Sequence, residues 1–519
     1  MGYAAAATAR RAGGDVTKNL ILGIDAGLTR TKAALFDEAG REVAAEGVRN
    51  EISRPFPGAA ERSMDKAWTD AAKAIRRSLA AASANGADVV AVGVTGAMVG
   101  VWPVDDDGRP VRPAVLVADT RGQEAIDRAK NGDPHIMDRI FRSDGCVVEP
   151  GCTLPALRWL FDHEPAVMAR ARYVLTCKDW LRFRLTGELA ADLTEAAVAP
   201  GDARARDRSL EMLQLFGLER HADLFPPVRP SESIGGFVTE AVAAETGLRA
   251  ATPVAIGAGD VPCSAIAAGA VEPGMACTIL GTTCHNGVVA DEPLFEPPNI
   301  GLLFTLPDLL WLRVMVNLAG TPNLDWALWT LFREIAGHGA GTSVYADLER
   351  IAARRPAGVG GLLYHPYLSE VGLIAPVVAQ GARAQFSGLR ASHTREDLLR
   401  AVYEGVAYAI RDCYEAIGRP IGEIRLVGGG ARSDFWSQMI SDVAARPVLV
   451  PEGSELGAKG AALLASVAIG RSRSVREAVR AASAIRRRFE PNAKRAAVYA
   501  DGFARYKAGR EAIVALSQP

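Results

Sequence analysis

The run Ile24-Asp25-Ala26-Gly27-Leu28-Thr29-Arg30-Thr31-Lys32 leaves a short apolar strand, Leu20-Ile21-Leu22. It turns on a glycine into a second strand, Ala33-Ala34-Leu35-Phe36. Asp25 closes the first strand. Gly27 lets backbone N–H groups face an anion with no Cβ in the way. Thr29 and Thr31 offer hydroxyls and Lys32 a positive charge. These are the groups a phosphate needs, and a neighbouring aspartate can hold Mg²⁺ directly or through water. A glycine-stabilised β-turn with a surface lysine explains the same residues equally well, because short glycine motifs recur by chance.

Working outward, Asp37-Glu38-Ala39-Gly40 reads as a hairpin turn and Glu42-Val43-Ala44-Ala45 as a third, alternating strand. Met64 to Ala84 carries Ala67, Ala71, Ala74, Ile75 and Leu79 at helical spacing. Val89 to Val94 and Val101 to Val104 are apolar strands, the second ending in the turn Asp105-Asp106-Asp107-Gly108. Hairpins followed by helix and strand are an α/β pattern.

The pattern recurs. Strand Val254 to Ile256 ends in Gly257-Ala258-Gly259-Asp260, followed by a helix over Pro262 to Ala270. Strand Ala276 to Leu280 ends in Gly281-Thr282-Thr283. Leu398 to Ile417 is a helix, and strand Ile424 to Val427 breaks into Gly428-Gly429-Gly430. Helix Ser433 to Ala444, strand Val448 to Val450 and the Ala/Gly-rich helix Glu455 to Ile469 complete the second half. Glycine-threaded turns at matching places in two halves point to a duplicated nucleotide-binding fold with a cleft between the halves. The boundary is expected near residues 250–256. Asp260 reads as an N-cap or as a general base facing the cleft. Gly428 to Gly430 reads as a sharp turn or as a bed for a flat base. Neither the Walker A nor the dinucleotide glycine spacing occurs.

Composition sets the bounds. A chain of 519 residues is too long for one core. At 49% apolar and 23% charged it suits an ordinary globular enzyme. A net charge of -1 speaks against nucleic acid or an anionic membrane as partner. The 7 cysteines show no metal-ligand spacing and read as reduced, buried, cytoplasmic thiols. Residues 1–18, rich in Ala and Gly, read as a disordered extension rather than a secretory signal.

Those ordered segments resemble the FGGY carbohydrate kinases. Beyond the Asp25 to Lys32 turn, the likeness includes Pro57 to Met64 with Trp68, Asp107 to Ala114 followed by Asp119-Thr120-Arg121, and Lys178 to Glu188. It continues through Asp260, Gly281-Thr282-Thr283, His393-Thr394-Arg395, Glu404-Gly405, Gly428 to Ser433 and Glu455 to Ala462. The resemblance implies two ribonuclease H-like domains of the actin/hexokinase type. A sugar-binding domain would span 19–253 and an ATP-binding domain 254–505, with a tail over 506–519. It implies transfer of the ATP γ-phosphoryl group, with Mg²⁺, to a hydroxyl of a small sugar or polyol. Asp260 would be the base and Asp25 the carboxylate associated with the metal. Gly27, Thr29, Lys32, Gly281, Thr282 and Thr283 would contact phosphates, and Gly429, Gly430 and Ser433 would border the adenosine. The expected setting is the cytoplasm, with no nucleic-acid or membrane partner; a homodimer is one assembly the resemblance allows.

The chain departs from the family's pattern where the sugar is read. Xylulokinases carry Gln-Met-His-Gly after the strand Val89 to Val94, and glycerol kinases Gln-Arg-Glu; this chain has Ala97-Met98-Val99-Gly100. Met98, Val99, Trp102 and Asp119 are the expected substrate residues, with His285 and Asn286 as further replacements for the lost polar groups. Ser369-Glu370-Val371-Gly372-Leu373 is more similar to the L-xylulose kinase and erythritol kinase branch. The acceptor expected first is a ketopentose of the xylulose type, and second erythritol or another short polyol. Two other classes stand beside a kinase: a non-catalytic sensor and an actin-like assembling ATPase. The intact Asp25, Asp260 and Gly281-Thr282-Thr283 speak against the sensor, and Glu61-Arg62 with Asp119-Arg121 against the ATPase.

Overall fold

A computed structural model describes residues 18–198, 200–336 and 342–517. The expected extension over 1–18 therefore lies almost wholly outside the described residues. Two mixed sheets dominate. In the first, strand order is Ile234–Phe237, Pro253–Ala255, Val89–Gly96, Leu20–Ala26, Arg30–Phe36 and Glu42–Arg49. In the second it is Leu302–Leu306, Leu310–Asn317, Cys284–Ala290, Ala276–Leu280, Ile424–Val427, Val448–Pro451 and Ile485–Phe489. Each sheet has the same plan. A lead strand, Leu20–Ala26 or Ala276–Leu280, pairs antiparallel with the strand that follows it and parallel with a later one on its other side. The duplication read from the glycine turns is thus a duplication of sheet topology.

The lead strands are buried along most of their length, as strands covered on both faces must be. One face of the first sheet is covered by helix Met64–Ala81, which Ser63 caps by accepting from Lys66 N. Helix Leu456–Ala468, from the far end of the chain, lies against Leu20–Ala26 and Val89–Gly96 and also against helix Asp260–Ala268. The approach is backbone to backbone. A Cβ at Gly23 would sit 1.9 Å from the Ala458 carbonyl oxygen, and one at Gly93 2.0 Å from that of Ala461. On the other side of the helix, a Cβ at Gly460 would sit 2.0 Å from the Cys263 carbonyl oxygen.

Two segments differ from the sequence-based expectation. Pro253–Ala255, expected to open the second half, pairs with Val89–Gly96 in the first sheet through Val254 and Val92. Its short apolar run completes that sheet's parallel side, so the crossing to the second half follows it. Residues 506–516, expected as a tail, continue helix Ala496–Leu516, where Tyr506 is fully buried and Ile513 packs inside. The aromatic at 506 gives that turn a core to join, stacking on His365.

The seating of helix Leu456–Ala468 yields a direct test. Gly93→Ala is expected to cost at least about 1–3 kcal/mol, because the neighbour in the way is backbone rather than a movable side chain. Gly132→Ala, where a Cβ meets nothing within 4 Å, is the control. Scanning calorimetry should show a lowered melting temperature for the first and none for the second; equal melting temperatures would refute the close-packed seat.

Candidate active site

Asp25 ends the first lead strand, paired with Lys32 across the hairpin. The intervening turn is held from behind. Asn50 Nδ2 donates to the carbonyls of Gly27 and Leu28 at 2.7 and 3.2 Å. Buried Arg62 donates to Asn50 Oδ1 at 2.8 Å and to Thr31 Oγ1 at 3.1 Å, and pairs with Asp70 at 3.3 Å. Thr29 is exposed on the rim of this fixed turn. Lys32 reaches across to the second half, its Nζ 2.7 Å from Glu455 Oε2.

Helix Leu456–Ala468 begins against Asp25. A Cβ at Gly457 would lie 2.5 Å from Asp25 Oδ2, so a glycine is what lets the helix start come this close. Burial pushes the Asp25 carboxyl up to about 6, with Lys32 opposing and Glu455 adding to the rise. Its Oδ1 is buried with no hydrogen-bond partner among the described residues.

Asp260 is the first residue of helix Asp260–Ala268, and each of the three residues before it is tied down. Gly257 N donates to Ser231 O at 2.9 Å, Thr95 Oγ1 to Ala258 O at 2.7 Å, and Gly259 N to Thr194 Oγ1 at 2.9 Å. The carboxylate accepts from its neighbour's N–H at Val261, at 2.8 Å. Burial first, then the charge of Asp25, push it up to about 7. Two carboxyl groups therefore feel each other in a desolvated setting, which is where perturbed acids gather in catalytic sites.

A small cavity lies at the first turn, lined by Gly27, Arg62, Met98, Val99, Trp102 and Cys177 among others. Met98 seals it against the base loop: a Cβ at Gly259 would lie 2.3 Å from Met98 Sδ. Of the expected substrate residues, Met98, Val99 and Trp102 thus share one cavity. Asp119 stands apart, its oxygens committed to Ala60 N at 2.8 Å and to the Arg121 guanidinium at 2.7 and 3.0 Å. Asn286 is buried in the second sheet against Thr278. His285 is held neutral by burial, its value pushed down to about 4, with Nδ1 3.4 Å from Thr283 Oγ1.

In the second half, Gly281 to Thr283 forms a tight turn. Gly281 N donates to Thr283 O at 3.0 Å, while Gly320 N and Thr321 N donate to Thr282 O and Gly281 O at 2.9 and 2.8 Å. Thr282 is left exposed. Of the glycine triplet, Gly430 packs on the Leu280 side chain, but a Cβ at Gly429 would meet nothing within 4 Å. Ser433 caps helix Asp434–Ala444 by accepting from Trp436 N at 2.9 Å. Its hydroxyl therefore has a structural task whether or not a nucleotide lies nearby. Sequence reading singled out neither Arg62 as a cavity residue nor Thr95, Thr194 and Ser231 as anchors of the base loop. The last three act through contacts between distant segments that no local pattern records.

The chain matches the N-terminal domain of the FGGY family of carbohydrate kinases over residues 20–267 and its C-terminal domain over residues 276–469. An erythritol kinase of Brucella abortus (strain 2308) is 33% identical over 463 residues, 87% of this chain and 88% of that protein. A xylulose kinase of Escherichia coli (strain K12) is 32% identical over 465 residues, 88% of this chain and 92% of that protein. The crystal structure of a xylulose kinase from Rhodospirillum rubrum superposes with a TM-score of 0.83 at 27% identity, covering 95% of this chain and 99% of that one.

The raised acids predict a pH-dependent stability. A carboxyl raised from 3.8 to about 7 holds its proton in the folded state where the unfolded chain has lost it. Its contribution is fully present below the unfolded value and lost as pH rises through the folded one. Asp260→Asn is therefore expected to melt above the parent protein at pH 8 in metal-free buffer, with the gap closing towards pH 4. A gap that is absent at pH 8, or that widens on acidification, would contradict the assigned shift.

Proposed function

We propose a ketopentose of the xylulose type as the acceptor: the chain belongs to the FGGY family of carbohydrate kinases, it is an ATP-dependent phosphotransferase for a sugar or polyol hydroxyl, and its small cavity abuts the loop that carries Asp260. The observation that carries the reading is this anchored, desolvated carboxyl on a loop that packs against Met98, a wall residue of the small cavity. Asp260 takes the proton of the attacking hydroxyl as that oxygen bonds to the γ-phosphorus, and the bond from phosphorus to the β-γ bridging oxygen breaks to release ADP. Phosphoryl transfer asks mainly for positioning and charge neutralisation. Gly27 and Thr29 on the first turn and Gly281, Thr282 and Thr283 on the second serve the phosphates, with Lys32 as the nearest cation. The open backbone at Gly429 and Gly430, beside Ser433, takes the adenosine.

Mg²⁺ suits Asp25. One of its oxygens is buried without a partner, and this ion commonly takes one or two carboxylates and completes its shell with water and substrate phosphates. The ion would neutralise phosphate charge as the hydroxyl approaches. In the cavity, Arg62 is the charged group, and its Nε has no hydrogen-bond partner among the described residues. A carbonyl or hydroxyl oxygen of the sugar would satisfy it. We place sugar recognition on the first sheet's side of the site, ATP on the second's, and the reaction in the cytoplasm.

Erythritol or another short polyol is the second reading. The favouring observation is the apolar wall of Met98 and Val99, which pairs with fewer hydroxyls, together with the likeness to an erythritol kinase.

Two measurements test these assignments. Asp260→Asn should lower kcat about 10²–10⁴-fold, the usual worth of a positioned base, while the fold is retained. A folded variant within tenfold of the parent would remove Asp260 from the role. ADP release should be measured over D- and L-ketopentoses, pentitols and tetritols. The highest kcat/KM is expected with a xylulose epimer, and a tetritol in first place would establish the second reading instead.

A further inference from the structure

Between the base loop and the sugar-side wall lies one turn of helix, Leu193–Ala196. Its Thr194 Oγ1 accepts from Gly259 N at 2.9 Å, the residue before Asp260. Its Glu195 Oε2 accepts from Val99 N at 3.2 Å, in the wall that lines the cavity. Adjacent side chains on one turn therefore hold the two segments that meet where Met98 lies on Gly259.

The turn is itself anchored. Asp192 Oδ2 accepts from Thr194 N at 2.8 Å, Thr194 Oγ1 at 2.7 Å and Ser231 Oγ at 2.9 Å. Lys178 Nζ lies 2.7 Å from Asp179 Oδ1 and 2.8 Å from Asp192 Oδ1, all three side chains being at most 1% exposed. A buried pair of this kind contributes little net stability but fixes geometry when its hydrogen bonds are complete. From the second sheet, Thr305 Oγ1 donates to Leu193 O at 3.0 Å. The Thr194 hydroxyl is used twice, donating to Asp192 and accepting from Gly259, so it has no freedom to rotate.

On the wall side, Val99 has φ 57°, a left-handed conformation that a β-branched residue rarely adopts. Such strain persists where surrounding contacts over-determine it. The Glu195 bond to Val99 N is one such contact. Burial pushes the Glu195 carboxyl well above its ordinary value, with Lys178 opposing and Asp192 and Asp179 adding. Its second oxygen is buried without a hydrogen-bond partner among the described residues.

We infer that Thr194 and Glu195 are positioning residues that together set the gap between the base and the sugar: Thr194 aims Asp260 through Gly259, and Glu195 shapes the sugar-side wall through Val99. The inference rests on the proposed base and cavity. It divides the two residues by kinetic effect. Thr194 acts on the group that reacts, so its loss belongs in kcat. Glu195 acts on a surface that touches substrate throughout, so its loss belongs in KM.

Steady-state kinetics at saturating MgATP, with the best acceptor of the panel, provide the test. Thr194→Val keeps the shape and removes the hydroxyl; it is expected to lower kcat about tenfold to a hundredfold with sugar KM within about threefold, since small misplacements of reacting groups have effects of that size. Thr194→Ser should recover most of the loss. Glu195→Ala is expected to raise sugar KM about tenfold with kcat nearly kept, and Glu195→Gln, which retains an acceptor for Val99 N, should recover it. Thr194→Ala substitutes if valine does not fold. Folded Thr194 and Glu195 variants with parental kinetics, or with kcat and KM moving together in both, overturn the inference. Asp260→Asn separates the layers: if it stays active, the base assignment fails; if it is inactive while Thr194→Val is parental, the positioning role alone fails.

Discussion

The seat of helix Leu456–Ala468 on the first sheet is the constraint from which the site follows. Glycines at 23, 93 and 460 bring main chain against main chain, leaving no room for a side chain between them. Because protein interiors are packed like crystals, a contact of this kind transmits position rather than absorbing it. The helix is thereby fixed in height over the strand that ends at Asp25. Its start at Gly457 meets that carboxylate, and Glu455 just before it meets Lys32. Helix Asp260–Ala268 packs on the other side of the same helix, so one seat registers both carboxyl groups. The two halves of the chain are joined through the middle of the site rather than around its rim.

That arrangement costs stability locally. Asp25 and Asp260 are both raised by burial, and Asp260 further by Asp25, so at neutral pH each charge is held against the surroundings. Lys32 opposes the rise at Asp25 only in part, because its ammonium is paired with Glu455. On the proposed reading, a divalent cation held by Asp25 would add positive charge there and favour the ionised form of both carboxyls. Desolvated carboxyls whose charge is compensated on binding are one way a site can favour its loaded state. The stability given up here is offset elsewhere by the large apolar clusters on the two sheets.

What the sequence made legible was whatever has a local cause. The strand-turn-strand at Asp25, the helix after Asp260 and the glycine triplet are set by residues within a few positions of each other, and the structure places them there. The capping role of Ser433 is local too, although it competes with the role first read for it. Long-range pairings were not legible. Gly23 and Gly93 look like weak points in strands until a helix more than 350 residues away shows what they make room for. Pro253–Ala255 looks like the start of a new unit because it precedes a glycine turn, yet a parallel edge can be completed only by a strand that has first crossed over. Asp119 sits in a run shared with a kinase family, but its neighbour Arg121 and the Ala60 N–H take up its oxygens.

Under the proposed function, acceptor choice follows from what the wall lacks. Polar groups that read a sugar gain selectivity because a substrate without the matching hydroxyl leaves them unpaired, at about 1–3 kcal/mol each. With Met98 and Val99 at the wall, that penalty is reversed: a hydroxyl pointing there is the group left unpaired. On the proposed reading the cavity disfavours oxygen on the wall side and favours it on the side of Arg62, whose Nε has no hydrogen-bond partner among the described residues. A ketose carbonyl answers that demand without presenting a donor of its own, whereas a polyol must spend a hydroxyl there. On this argument the discrimination between a ketopentose and a tetritol lies less in chain length than in whether the oxygen facing Arg62 also carries a hydrogen that must find a partner.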